Sequence, residues 1–241
     1  MPTQSAAAAQ LATRAMGAYG TVREQFDMPI GRFEGIEEPL ARIGGLTYVM
    51  DAARRLTCGA VDAGEKPAVL SAIVKAYLTD SMRSIINDAM DIQAGAAICR
   101  GARNILGRGY TAVPIAITVE GANILTRSMI VYGQGAVRCH PYVQDEMEAV
   151  ADGDAARFDR AFFGHVGLVG RNATRSVLLG LTGGRLAATP DNGPSARHVR
   201  RFERLSAAFA LTSDVAMGTL GGSLKRREKI TGRLADALAD A

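Results

Sequence analysis

The sequence predicts an all-α protein, a helical bundle over residues 1–140 followed by a helical appendage over residues 141–241. Three observations lead there. Proline-free stretches of 46, 48 and 47 residues follow Pro67, Pro141 and Pro194, and such runs suit long helices. Apolar residues recur every three or four positions through residues 40–60 and 69–90. Nowhere do they alternate with period two for long enough to specify a strand.

The elements follow in order. Residues 4–22 are rich in alanine and read as a helix, with Gly17 and Gly20 expected to break its end. Asp27, Pro29 and Gly31 then mark a loop. Leu40, Ile43, Leu46, Met50, Ala53, Leu56 and Ala60 give a helix over 34–63, and Gly64 supplies the stop signal. The strongest stripe runs from Val69 through Ile73, Tyr77 and Ile85 to Met90, behind Pro67 at the first turn. Residues 99–113 read as a loop rich in arginine and glycine with room for one turn of helix, followed by the apolar run 114–119 and a helix over 122–134. Asp154 is expected to cap a helix to 182, and Ser195 another to 217. The loop 189–194 separates these two. Gly218, Gly221 and Gly222 end the second, and a charged helix closes the chain.

Composition excludes several classes. Charged residues make up 22% of the 241 and hydrophobic residues 48%, so a core can form and disorder is not expected. A net charge of +4 is too small for a dedicated nucleic-acid binder. Cys58, Cys99 and Cys139 are widely spaced, which predicts neither disulfides nor a zinc site and suits a reducing compartment. The three histidines, His140, His165 and His198, share no metal-ligand spacing, and no metal is expected. No uncharged run is long enough to span a bilayer, and the N-terminus lacks the basic region of a signal peptide.

Three patterns are candidates for chemistry. Gly218 to Lys225 resembles a phosphate loop in composition but lacks the required spacing and a preceding strand. The basic clusters at 197–201 and 225–229 could meet an anionic surface, although nearby Glu203 and Glu228 favour a solvated face. Val119-Glu120-Gly121 places one carboxylate between an apolar run and a helix start. Its apolar neighbours predict partial burial, and burial makes a carboxylate a better proton acceptor near neutral pH. A glutamate before a helix can equally serve only to offset the helix dipole.

The order Arg23-Glu-Gln-Phe26, Pro29-Ile-Gly31, Phe33-Glu-Gly-Ile36, Asp91-Ile-Gln-Ala-Gly95 and Val119-Glu120-Gly121 resembles the C-terminal helical domain of acyl-CoA dehydrogenases. Residues 114–129, Gly133-Gln-Gly, Arg138-Cys-His-Pro-Tyr142 and Met217 to Glu228 are similar to the large bacterial enzymes of fatty-acid β-oxidation. The resemblance implies a four-helix up-and-down bundle with a helical appendage. It implies flavin-dependent oxidation of fatty acyl-CoA to trans-2-enoyl-CoA, the first step of β-oxidation.

Further implications of the resemblance concern single residues. Glu120 falls on the glutamate that removes the α-proton, and Gly121 lets the backbone come close. Arg23 and Phe26 fall on a motif that meets the FAD pyrophosphate of a neighbouring subunit, with Gln25 as a further cofactor contact. Asp91 and Gly95 fall on a segment that reaches the adenosine part of FAD. The sequence departs from the pattern at Asp27 and Ala94, where glycine is usual, at Glu34 and Asp91, where glutamine is usual, and at Ala122 and Ile124, where polar residues are usual.

The same resemblance implies a homo-oligomer that delivers electrons to an electron-transfer flavoprotein or similar acceptor. It implies a bacterial cytoplasmic location, with peripheral contact at the inner membrane. Two upstream domains of the family are not in this sequence, so the chain reads as a fragment of a larger enzyme. The competing expectation is a catalytically inactive helical module that dimerises but does not bind flavin alone.

Overall fold

A computed structural model of the protein describes residues 1–190 and 193–240. It is helical nearly throughout, in two compact units, Met1–Thr126 and Arg127–Ala241.

The first unit is the expected four-helix bundle. Its long helices are α1 (Pro2–Val22), α2 (Glu34–Asp62) and α3 (Ala68–Gln93). The short α4 (Gly95–Ile98) leads to α5 (Gly107–Thr118), the fourth helix of the bundle. Side-chain bonds give the directions. Gln10 meets Asp51 and Thr13 meets Thr47, so α2 runs against α1. The Tyr19 hydroxyl donates to the Gln93 carbonyl, so α1 and α3 end together. Lys75 reaches the Ile117 carbonyl, so α5 returns antiparallel to α3. Met16, Ile43, Met50 and Ile85 are fully buried between these helices. Each such side chain contributes about 1.5–3 kcal/mol by leaving water.

Between α1 and α2 lies a two-residue hairpin, β1 (Glu24–Gln25) against β2 (Met28–Pro29). Phe26 and Asp27 form its turn at φ 51° and φ 63°, the left-handed pair that matches strand twist. Gly17 and Gly20 do not break α1. Instead Gly20 lies against Gly31, where a Cβ would stand 2.9 Å from the Gly20 carbonyl oxygen.

Residues 99–113 hold more helix than the single turn expected there, because α5 begins at Gly107 and continues through Pro114. Val113 and Ile117 pack against the core, and this burial outweighs the lost proline hydrogen bond. Pro114 and Tyr110, whose carbonyl it frees, are both exposed. Residues 122–134 are not one α-helix either. A single turn, α6 (Asn123–Leu125), gives way to a π-helical turn, Thr126–Gln134. A Cβ at Gly133 would stand 3.2 Å from the Ser128 carbonyl oxygen, so the missing side chain favours the wider winding.

The second unit holds most of that π turn, α7 (Gly135–Cys139), α8 (Val143–Asp152), α9 (Ala155–Leu181), α10 (Ala196–Leu220) and α11 (Glu228–Asp240). Asp154 caps α9 as expected, accepting from the Arg157 N–H at 2.9 Å. Ser195 makes no cap bond, because its backbone is already helical at φ −77°, ψ −18°. The loop expected over 189–194 includes Asp191 and Asn192, which lie outside the described residues. Helix α10 runs past Gly218 and ends at Gly221, φ 49°. The sequence placed the division of the chain at 140. In the structure the π turn and α7 group with the second unit, where Arg127 pairs with Asp236 and Tyr132 meets Phe209 edge to face at 6.1 Å.

Candidate functional site

Glu120 stands on a short turn at the end of α5. The helix stops at Thr118, and Val119 is extended. Glu120 and Gly121 then both adopt positive φ, 55° and 87°. For glutamate this conformation costs about 1–2 kcal/mol, so it persists only because neighbouring contacts impose it. Among the described residues the Glu120 N–H donates to no backbone carbonyl. The carboxylate lies 3.6 Å from the Met1 nitrogen, and its side chain is 59% exposed.

The partial burial expected of Glu120 is therefore absent within this chain. The reason is local. Ile115, Val119, Ile124 and Leu125 surround the turn, yet all are exposed, with Ile124 at 85%. They present exposed apolar surface on the segments flanking the turn and do not cover the carboxylate.

One buried residue that the sequence reading passed over supports this turn. The Lys75 ammonium donates to the carbonyls of Ile117 and Gly121 and to Asn123 Oδ1. Burial pushes its pKa below the usual lysine value, against the pull of Glu120 and then Asp80. Its signal was present in the sequence. Lys75 stands three residues after Ala72 and four before Thr79, on a face of α3 that is small and polar, and all three are buried.

The other implied residues gather at the opposite end of the bundle. Arg23, Gln25 and Phe26 follow α1, and Asp91 and Gly95 flank the end of α3. All five are exposed. Phe26 is 88% exposed on its hairpin turn and meets Phe33 edge to face at 6.3 Å. Arg23 forms no ion pair among the described residues. Ala94, one residue before Gly95, sits at φ 53°, ψ −133°, a conformation natural to glycine. The structure thus brings Arg23 and Phe26 to the same end as Asp91 and Gly95, but not to Glu120. Helix α1 has 21 residues, which separates the two ends by about 30 Å.

A second polar cluster, also unseen in the sequence, lies in the second unit. His140 and His165 stack tilted with ring centroids 4.4 Å apart. His165 Nδ1 lies 2.9 Å from Glu146, and His140 Nε2 lies 3.2 Å from Asp214. His140 Nδ1 accepts the backbone N–H groups of Tyr142 and Val143. That assignment puts the His140 proton on Nε2, facing Asp214, and leaves that nitrogen no lone pair for a cation. Burial, then His165, hold the His140 pKa below the usual imidazole value, against Asp214. The cluster links α8, α9 and α10 within this unit. The glycines at 218–222 end a helix and present no strand-to-helix phosphate cradle.

Comparison with known proteins defines the class. The family described as "Acyl-CoA dehydrogenase, C-terminal domain" matches residues 2–133, and "Acyl-CoA dehydrogenase, C-terminal, bacterial type" matches residues 137–240. The chain belongs to the acyl-CoA dehydrogenase family. Among individual relatives, it is 23% identical to a probable acyl-CoA dehydrogenase, FadE10, of Mycobacterium tuberculosis, over 100% of this chain and 38% of that protein. It is 28% identical to a 3-(aryl)acrylate reductase of Clostridium sporogenes, over 53% of this chain and 33% of that protein. An acyl-CoA dehydrogenase of Bacillus anthracis, solved in complex with FAD, superposes with a TM-score of 0.73 at 17% identity. That match covers 99% of this chain and 39% of the other, and it shows the shared fold. The chain thus spans about two fifths of the length of the M. tuberculosis relative and of the B. anthracis structure. No helix among the described residues is long and apolar enough to cross a membrane.

Proposed function

We propose that this chain is the C-terminal part of a flavin-dependent enzyme that oxidises fatty acyl-CoA to trans-2-enoyl-CoA, with Glu120 as the base. The observation that carries the proposal is the turn itself. A carboxylate stands on a strained backbone, beside an N–H that meets no backbone carbonyl among the described residues, with exposed apolar side chains on the flanking segments. Such apolar surface suits an acyl chain and a covering domain. The carboxylate takes the proton from the carbon next to the thioester carbonyl. Charge then moves onto the thioester oxygen, for which the Glu120 N–H is the proposed donor. Gly121 keeps side-chain bulk away from that oxygen.

FAD is the cofactor that this chemistry requires, and when bound it accepts the hydride from the β-carbon. The residues at the far end suit its anionic portion. Arg23, exposed and without an ion pair among the described residues, offers a guanidinium for a pyrophosphate, and Phe26 an exposed ring for packing. Gln25, Asp91 and Gly95 lie beside them as further contacts. The separation of about 30 Å between Glu120 and Arg23 means that one copy cannot serve one flavin with both ends. This supports a homo-oligomer in which Arg23 and Phe26 reach a neighbour's cofactor. An electron-transfer flavoprotein or similar acceptor completes the cycle in the bacterial cytoplasm or at the inner membrane.

The test uses the protein that joins this chain to the family's helical and β domains. Saturated acyl-CoA, added without oxygen, should bleach the bound flavin and yield one enoyl-CoA per flavin. A fully loaded protein that no straight-chain acyl-CoA bleaches would refute the proposal. The 241-residue chain alone should bind FAD weakly and show no turnover.

A further inference from the structure

The turn that carries Glu120 is held by one buried cation. Lys75 is only 6% exposed. Its three ammonium protons meet three oxygens, the Ile117 carbonyl at 3.2 Å, the Gly121 carbonyl at 2.5 Å and Asn123 Oδ1 at 2.7 Å. Ile117 lies in the last turn of α5, where carbonyls lack helical partners. Gly121 follows Glu120 directly. The ammonium therefore ties down the backbone on both sides of the carboxylate. Asn123 is itself fixed, because its amide donates to the Ala76 carbonyl at 3.0 Å and to Thr79 Oγ1 at 2.8 Å. The Thr126 hydroxyl adds a bond to the Gly121 carbonyl at 3.1 Å.

A buried ammonium is a poor source of stability, since it must first lose its water. An apolar side chain of the same length would fill the space on α3 but leave these three oxygens without their donor. What the ammonium adds is geometry. It draws two carbonyls and one amide oxygen to a single point, and the backbone between them takes consecutive left-handed conformations at Glu120 and Gly121. Those two conformations set where the carboxylate and the free N–H of Glu120 point.

We propose that Lys75 is the positioning residue for Glu120: its ammonium fixes the turn so that carboxylate and N–H meet the α-carbon and the thioester oxygen together. The proposal rests on the proton-abstracting role given above to Glu120. Lys75 touches neither substrate nor cofactor and acts through the backbone.

The test compares Lys75→Met and Lys75→Gln with the parent in the flavin-loaded protein. Methionine keeps the stem and removes all three donors. Glutamine retains two donors without charge and covers the case in which methionine prevents folding. Loss of alignment by about 1 Å costs about 10²-fold in rate. At saturating acyl-CoA, flavin bleaching should slow by about that factor, while acyl-CoA affinity and flavin content stay at parent values. Amide exchange should rise at residues 120–123 and not in α1 or α2. In a Glu120→Gln background, Lys75→Met should add almost nothing, because the two residues act as one unit. A residue that only caps α5 would change stability and leave the rate at saturation intact. Parent-like bleaching in both variants, or full additivity with Glu120→Gln, would overturn the positioning role alone. A parent enzyme that never bleaches would overturn the role of Glu120, and the positioning role with it.

Discussion

Ala94 occupies a backbone conformation that alanine should avoid. It lies at φ 53°, ψ −133°, between α3 and α4. A Cβ there costs about 1–3 kcal/mol relative to an unstrained residue. Glycine would remove that strain but lose about 0.5–1 kcal/mol through the greater freedom of its unfolded chain. The Ala94 side chain is exposed, and its N–H bond to the Met90 carbonyl survives the change. Ala94→Gly should therefore stabilise the Met1–Thr126 unit by about 0.5–2 kcal/mol, roughly 2–8 °C in Tm. Gly95 supplies the control. Its φ is ordinary and a Cβ would meet nothing within 4 Å, so Gly95→Ala should be tolerated or mildly stabilising. Urea unfolding followed by peptide-resolved hydrogen exchange reads this unit separately from the other. A loss of stability in Ala94→Gly, with a gain in Gly95→Ala, would show that the left-handed site has been assigned to the wrong residue.

Three other outcomes follow from the same geometry. Gly31→Ala should destabilise the hairpin end by about 1–3 kcal/mol, because the new Cβ meets the rigid Gly20 backbone; exchange of Arg23 to Phe33 amides at the parent rate would contradict this. The depressed pKa of His140 makes the second unit sensitive to acid. The unfolded imidazole binds protons that the folded one refuses, so this contribution is complete above about pH 6.5 and lost as pH falls through the folded value. The urea midpoint of that unit should drop below about pH 6.5, and His140→Gln should flatten the slope; an unchanged slope would place the titration elsewhere. Finally, the exposed Ile115, Val119, Ile124 and Leu125 should drive the isolated chain to self-associate, and light scattering at micromolar concentration would count against this if it found a clean monomer.

Much of the fold was legible because its helices are long and strongly periodic. The stripe from Val69 to Met90 appears as α3, which begins one residue before it and ends three residues after it. Where local rules failed, tertiary contacts decided. Pro114 and the arginine-glycine stretch before it argued for loop, but Val113 and Ile117 gain enough burial to carry α5 through the proline. The π turn at Thr126–Gln134 depends on the meeting of Gly133 with Ser128, which no hydrophobic period records. The candidate site was legible only in its chemistry-bearing residues. Glu120 was marked by its place in the family motif, although the burial that its apolar neighbours predicted is absent, and Lys75 was passed over despite the small, polar face of α3 on which it lies. The meeting of His140 with His165, Glu146 and Asp214 spans three helices, and nothing in the sequence spacing announces it.

The role of Glu120 is tested most directly by Glu120→Gln in the flavin-loaded protein. Glutamine keeps the size of the side chain and the backbone N–H, and removes the base. A positioned base contributes about 10²–10⁴-fold to such a proton transfer. Anaerobic bleaching of the flavin by acyl-CoA should slow by at least that factor, with flavin content and acyl-CoA affinity unchanged. If Glu120 only offset the helix dipole, its loss would cost about 0.3–1 kcal/mol of stability and leave the rate largely intact. Bleaching of the Gln variant at the parent rate would move the catalytic base away from Glu120 and contradict the proposed mechanism.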